Sequence, residues 1–370
     1  MLRSVFGVGR RTVQGAASVV KRGYYSLETS GLPVEKQPEV QKAIFPGYDH
    51  LALPNIKTLA PKAGQDAREV HDAAWYTAEL KEHGHVMIKN TGIRDAAGFK
   101  SWEGLFYEKS MYYQGGESNR DDIGEGVLNV NTFEPPHIDI PLHNELSYQD
   151  RFPERLVFCC LVPAKRGGMT LLGDNRKISK FMGDKLKRKF IEKGLLARHV
   201  YQNRDALRAG LETRWYNTWQ DAYRVKTRKE MERILEEEGY SWEFRGPNDR
   251  LYAEKHHAVP HYHEGELYLF DSLASNNWNY FQFIDGFNTL PREERPFDTV
   301  WGDGEPLSDA EWREFITLQA RYTLFVPYEA GDVFLIDNVK FKHGRTPFEG
   351  PRKVGALMGN PVDRKVTPDA

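Results

Sequence analysis

Gly331-Asp332-Val333-Phe334-Leu335-Ile336-Asp337-Asn338-Val339-Lys340-Phe341-Lys342-His343-Gly344-Arg345 is the stretch that decides the fold. An apolar strand, Val333 to Ile336, runs into a polar segment ending at His343, a residue type able to ligate a metal. The chain then turns at Phe348-Glu349-Gly350-Pro351, where Gly and Pro break pairing, and re-enters as Arg352-Lys353-Val354-Gly355-Ala356-Leu357-Met358. Strand alternation puts Arg352 on the face of Val354, Ala356 and Met358. That face is apolar, so the guanidinium points inward. A buried cation without an anion costs several kcal/mol, so Arg352 wants a carboxylate, which it can grip in bidentate fashion.

Working outward, Tyr322–Pro327 reads as a further strand near the end, and Leu156–Val162 as a strand in the middle, followed by a turn at Gly167-Gly168 into Met169–Leu172. Apolar positions at helical spacing predict a helix from Asp66 to His83, stopped by Gly84, and another from Asp95 to Tyr107; His85–Asn90 between them reads as a buried strand. Residues 176–300 read as a helical insert, with helices at Lys180–Gly194 and Lys226–Gly239 and loops rich in Trp and Tyr. Strands on both sides of a helical insert argue for one domain, mainly β with α insertions, whose two ends meet to complete a sandwich. We expect that domain over residues 65–362, after an extended lead-in segment at 28–64 and before a tail at 363–370.

The formal net charge is -2, so no global basic field points to nucleic acid. No apolar run approaches the ~20 residues of a bilayer span. The two cysteines, Cys159 and Cys160, are adjacent in an apolar strand, which excludes a disulfide framework and reads as packing on opposite faces. Residues 1–27 differ from the rest. Arg3, Arg10, Arg11, Lys21 and Arg22 lie among apolar residues, and the first acid is Glu28. We read them as an organelle presequence, mitochondrial in preference to chloroplast; a basic tail on a cytoplasmic protein is the alternative.

Pro141-Leu142-His143-Asn144-Glu145-Leu146-Ser147-Tyr148 supplies the second informative segment. On an extended chain His143 and Glu145, two apart, point the same way and can offer an imidazole nitrogen and a carboxylate oxygen to one point. With His343 they would form a facial triad that leaves three coordination positions open. Alone, H-x-E arises often by chance; the distant His343 and inward Arg352 give it weight.

His143-Asn144-Glu145, Pro163-Ala164-Lys165-Arg166-Gly167-Gly168-Met169-Thr170, Gly302-Asp303-Gly304, Gly331-Asp332-Val333 and His343 through Arg352 resemble, in order, motifs of the TauD/TfdA family of Fe(II)/2-oxoglutarate-dependent dioxygenases. The likeness is to its clavaminate-synthase-like and syringomycin-biosynthesis-like branch and spans roughly residues 66–360. It implies a double-stranded β-helix (jelly-roll) core with iron at one mouth, on His143, Glu145 and His343. It implies that Thr170 contacts 2-oxoglutarate and that Arg352 grips its distal carboxylate, with Arg345 as the rival. The wider family commonly uses Asp where Glu145 stands. The implied reaction hydroxylates an unactivated C–H of a small amino-acid-like or carboxylate substrate, consuming O2 and releasing succinate and CO2. The alternatives are a desaturase or cyclase of the same family, or a non-catalytic jelly-roll binding module. The oligomeric state is left open.

Other residues have blander readings. His137-Ile138-Asp139 is a literal H-x-D without further support. His256, His257, His261 and His263 are read as part of a strand-and-loop element and not as a second metal site. Trp215, Tyr216, Trp219 and Tyr223 are read as packing of the insert.

Overall fold

The structure, a computed structural model, describes residues 56–62, 65–112, 122–130, 134–206, 216–281 and 289–368. The presequence expected at 1–27, most of the lead-in segment and Trp215 lie outside the described residues. Eight strands build the core: β1 (Leu128–Asn129), β2 (Ile140–His143), β3 (Arg151–Val162), β4 (Thr170–Asp174), β5 (Thr323–Val326), β6 (Val333–Asp337), β7 (Phe341–Arg345) and β8 (Lys353–Asp363). They lie in two sheets, ordered β6-β3-β8-β1 and β5-β4-β7-β2. The first sheet is extended beyond β6 by His85–Ile88 and, parallel to it, Thr58–Leu59.

Alternation divides these strands between two sides. Phe158 and Cys160 of β3, Phe334 and Ile336 of β6, Leu172 of β4, and Val354, Ala356 and Met358 of β8 share one buried cluster between the sheets. Val157 and Cys159, Val333 and Leu335 face the other way, against Tyr76, Leu80, Phe99 and Phe106 of the N-terminal helices. The adjacent cysteines are thus both buried and on opposite faces, as period-two alternation requires. A third cluster packs Leu142 of β2 and Leu171 of β4 against the insert and the Asp309–Arg321 helix.

Several expected elements are subdivided. The helix expected at Asp66–His83 is two, Ala67–Val70 and Ala73–His83, because Asp66 and Asp72 each cap a start with their side chains. Gly84 ends the second at φ 75°, as expected. The Asp95–Tyr107 helix is split into Ala96–Lys100 and Glu103–Phe106. The Lys180–Gly194 helix is Asn175–Phe181 followed by Asp184–Lys193, separated at Met182-Gly183. The expected Lys226–Gly239 helix is Arg228–Glu237, opened by a capping box of Thr227 and Glu230.

The insert is the largest departure. It carries its own antiparallel sheet, ordered Phe297–Trp301, Leu195–Tyr201, Arg250–His257, Ser241–Arg245, and a hairpin of Pro260–His263 with Glu266–Leu269. Arg250–His257 alternates strictly in burial, and the polar outer residues Glu254 and His256 hide that period from a reading based on apolar runs. Trp219 and Tyr223 are buried in the cluster that fills this part of the insert. The segment read as a tail starts in β8, which ends at Asp363. Arg364 then bonds the Ser147 and Gln149 carbonyls.

Candidate functional site

His343 is the middle residue of β7, on the inward face shared with Phe341. It lies directly opposite His143, the last residue of β2. The pairing shifts register between His343 and Arg345, where Arg345 faces Ile140. Gly344 permits this approach: a Cβ there would run into the Ile140 carbonyl oxygen. The two imidazoles come to a centroid separation of 4.2 Å at 50°. The His143 Nδ1 is bonded to the Pro141 carbonyl at 2.9 Å, which sets the orientation of the ring.

Glu145 reaches the same point by a route the sequence reading did not foresee. It is not on an extended chain two residues beyond His143. The strand stops at His143, and Glu145 enters a turn in which Leu146 takes a φ of 55°. Asn144, fully buried, fastens the chain between the two: its Nδ2 donates to the Asn338 carbonyl at 2.6 Å. Glu145 Oε2 then stands 3.6 Å from His343 Nε2. One donor atom from each of His143, Glu145 and His343 lies within 4.8 Å of the others, the sole such group among the described residues. Two imidazole nitrogens and a carboxylate oxygen at this spacing suit a divalent first-row metal such as Fe(II), and their triangular arrangement leaves the far side open.

That far side is a cavity of about 100 Å³ between the sheets, lined by the triad, Phe158, Thr170, Arg345 and Arg352 among others. Arg352 is buried just ahead of β8 and points inward beside Val354, as alternation predicted. Its Nε donates to the Gly168 carbonyl at 3.1 Å. Burial, and then the neighbouring Arg345, push its pKa down to about 10, so it is still a cation at neutral pH. Arg345 is differently engaged: its Nη2 donates to the Ile138 and Pro135 carbonyls at 2.7 and 3.2 Å. Burial lowers its pKa also, with Glu134 opposing the shift. Thr170 is paired with Arg345 in the sheet, and its hydroxyl donates to the Tyr328 hydroxyl at 2.9 Å.

The other candidates lie elsewhere. His137 is exposed while Asp139 is buried, so that pair does not share a face. His256 is exposed and bonded to the Lys193 carbonyl at 2.7 Å. His257 and His261 are buried, and His261 Nδ1 accepts the Lys365 N–H at 3.1 Å. Gly302 packs against Lys193 and His256, and Asp303 is ion-paired with Lys193. Sequence reasoning missed Asn144, Asn338, Asp271 and Lys342, which bond one another behind the triad. Two of them, Asn338 and Lys342, stood in the polar segment between the apolar strand and His343, where their type alone gave no signal of burial.

Residues 55–358 match the model of the taurine catabolism dioxygenase TauD, TfdA family. The chain belongs to this family. As a TauD/TfdA member it is an oxidoreductase whose reaction uses Fe(II), 2-oxoglutarate and O2. Among curated relatives, a clavaminate synthase-like protein of Arabidopsis thaliana is 28% identical over 287 residues, covering 75% of this chain and 82% of that protein. The dapdiamide synthesis protein DdaC of Enterobacter agglomerans is 23% identical over 292 residues, covering 76% and 84%. Among solved structures, PvcB from Pseudomonas aeruginosa matches with a TM-score of 0.47 at 13% identity, covering 83% of this chain and 87% of its own.

Proposed function

We propose that this dioxygenase hydroxylates an unactivated C–H bond of a small amino-acid-like or carboxylate substrate, with iron on His143, Glu145 and His343. The observation that carries the reading is the meeting of three donors from two distant segments, residues 143–145 and β7, at a cavity that also holds a buried cation. In the balanced reaction one atom of O2 enters the substrate as hydroxyl and the other enters succinate, with loss of CO2. The bound metal and keto acid supply the oxidising chemistry; the protein contributes position and exclusion of water. His143 and Glu145 are held by Pro141 and Asn338, and Phe158 covers His343 with rings 5.2 Å apart.

Of the two arginines, Arg352 is our choice for the distal carboxylate of 2-oxoglutarate. Arg345 spends its Nη2 on the Pro135 and Ile138 carbonyls, whereas Arg352 lines the cavity from the sheet facing Thr170's strand, with its Nε on the Gly168 carbonyl. We assign Thr170 to the same co-substrate, since it lines the same cavity from the facing sheet. The strand orders β6-β3-β8-β1 and β5-β4-β7-β2 favour a double-stranded β-helix core, in which alternate strands cross between two sheets. The basic composition of residues 1–27 is our ground for proposing a mitochondrial address.

The test is a screen of purified protein, loaded with Fe(II), against a metabolite library for substrate-stimulated succinate release. A hit whose product gains one oxygen supports the reading. A product that loses two hydrogens would replace hydroxylation by desaturation. No stimulation by any metabolite, together with no keto-acid binding, would leave a binding module.

A further inference from the structure

Behind the triad the structure holds a connected set of polar groups, Asn144, Asn338 and Asp271, each with 0% exposure. Asn338, fully buried at the end of β6, bonds both main-chain polar atoms of Glu145: the Glu145 N–H donates to Asn338 Oδ1 at 2.9 Å, and Asn338 Nδ2 donates to the Glu145 carbonyl at 3.1 Å. The same Nδ2 donates to the Pro153 carbonyl at 2.8 Å, tying the turn to β3. The backbone carbonyl of Asn338 accepts from Asn144 Nδ2. Asn144 is in turn held by Asp271, whose N–H donates to Asn144 Oδ1 at 3.1 Å and whose carbonyl accepts the Asn144 N–H at 3.0 Å.

We infer that Asn338 is a positioning residue that fixes the main chain of Glu145, so that the carboxylate stands at the metal site before any metal arrives. The inference rests on the proposed metal role of the triad. Its physical basis is local. Glu145 has left the strand, so no sheet ladder holds its backbone, and the adjacent Leu146 sits at positive φ, where a non-glycine residue needs its surroundings to keep it. A side-chain amide offers one acceptor and two donors in a fixed plane, which matches one N–H and two carbonyls. Outer groups that orient metal ligands commonly affect affinity 10–100-fold.

The experiment is anaerobic titration of the full chain with Co(II), without 2-oxoglutarate, following the ligand-field absorption and the dissociation constant. Asn338→Ala removes all three bonds and weakens Co(II) binding by about 10–100-fold. Asn338→Asp keeps the acceptor for the Glu145 N–H and falls between Asn338→Ala and the parent chain. Asn175→Ala is the control for general loosening: Asn175 is equally buried and donates to the Val339 carbonyl at 3.0 Å in the next turn, without touching Glu145. It leaves Co(II) affinity within about twofold while lowering the unfolding temperature.

Equal affinity in Asn338→Ala and the parent overturns the inference, as does an equal loss in Asn175→Ala. Should the parent chain bind no Co(II) in a His343-dependent manner, the metal reading itself fails, and that outcome is separable from the first two.

Discussion

The chain has one cluster of histidines in sequence and one pair of histidines brought together in space, and they differ in what the fold does with them. His256, His257, His261 and His263 come from neighbouring strands of the insert, one exposed, one partly exposed and two buried among Phe152, Phe270 and Arg364. Burial and then the Arg364 guanidinium hold His257 well below the usual imidazole range, and the same causes bring His261 to about 3. His143 and His343 are distant in sequence yet face each other across one strand pair, with a carboxylate at their side. Density of imidazole in sequence does not make a metal site. Convergence on a cavity, with a charge to match the ion, does.

The sharpest way to break this contrast is to remove one histidine from each part. His343→Ala and Glu145→Ala are each expected to bring bound iron to background and to abolish succinate release, as measured by metal analysis and a coupled assay. His256→Ala should leave both unchanged, because its ring is exposed, bonds the Lys193 carbonyl and packs on Gly194 and Gly302, away from the triad. Iron retained by His343→Ala but lost by His256→Ala would reverse the roles of the two regions.

A second comparison lies inside the site. Arg352→Ala should raise the 2-oxoglutarate KM by about 10–100-fold, the worth of ~1.5–3 kcal/mol for charge-assisted hydrogen bonds. Arg345→Ala should act chiefly on stability, since it frees the Pro135 and Ile138 carbonyls that it now satisfies. A larger KM effect from Arg345→Ala would transfer the co-substrate role to it.

How far these groups could be read from the chain follows from what each contacts. His343 and Arg352 were legible because they combine reactive types with strand alternation, and His143 and Glu145 because a ligand pair two residues apart stood out by residue type. The route to Glu145 was not, because its turn depends on Asn338 and Asp271, whose partners are backbone atoms far along the chain. Such bonds leave no period in the sequence. The insert's sheet was missed for a different reason: strands such as Ser241–Arg245 are short and mostly exposed, so the alternation of Trp242 and Phe244 spans too few residues to stand out. The helices split where Asp66, Asp72 and Gly183 start new turns, local signals that a search for long apolar stripes passes over.

Behind His343, Lys342 faces the opposite way, and both it and Asp271 have side chains with 0% exposure, paired at 2.7 Å. Burial lowers the Lys342 pKa, and Asp271 opposes the shift. Lys342→Met removes one charge and strands the other, at about 3–5 kcal/mol, read as a shift in denaturant midpoint. Adding Asp271→Leu to it should recover part of that loss, since a matched apolar pair carries no stranded charge. A single variant as stable as the parent would mean that this pair does not brace the strand.

The smallest effect returns to the insert histidines and is one of pH. His261 titrates near 6.5 in the unfolded chain and at about 3 when folded, so between those values the unfolded state binds the extra proton. Its contribution is therefore intact above pH 6.5 and is lost as pH falls toward 3, with a slope of at most about 1.4 kcal/mol per pH unit. Arg364, His263 and Lys365 reinforce the depression, since each disfavours a second positive charge beside the ring. Unfolding midpoints measured from pH 7.5 to 5 should decline below 6.5, and His261→Gln, which cannot take up the proton, should flatten the decline. An unchanged slope in that variant would mean that the ring is already able to charge in place, and the contrast between a packing imidazole and a ligating one would lose its electrostatic half.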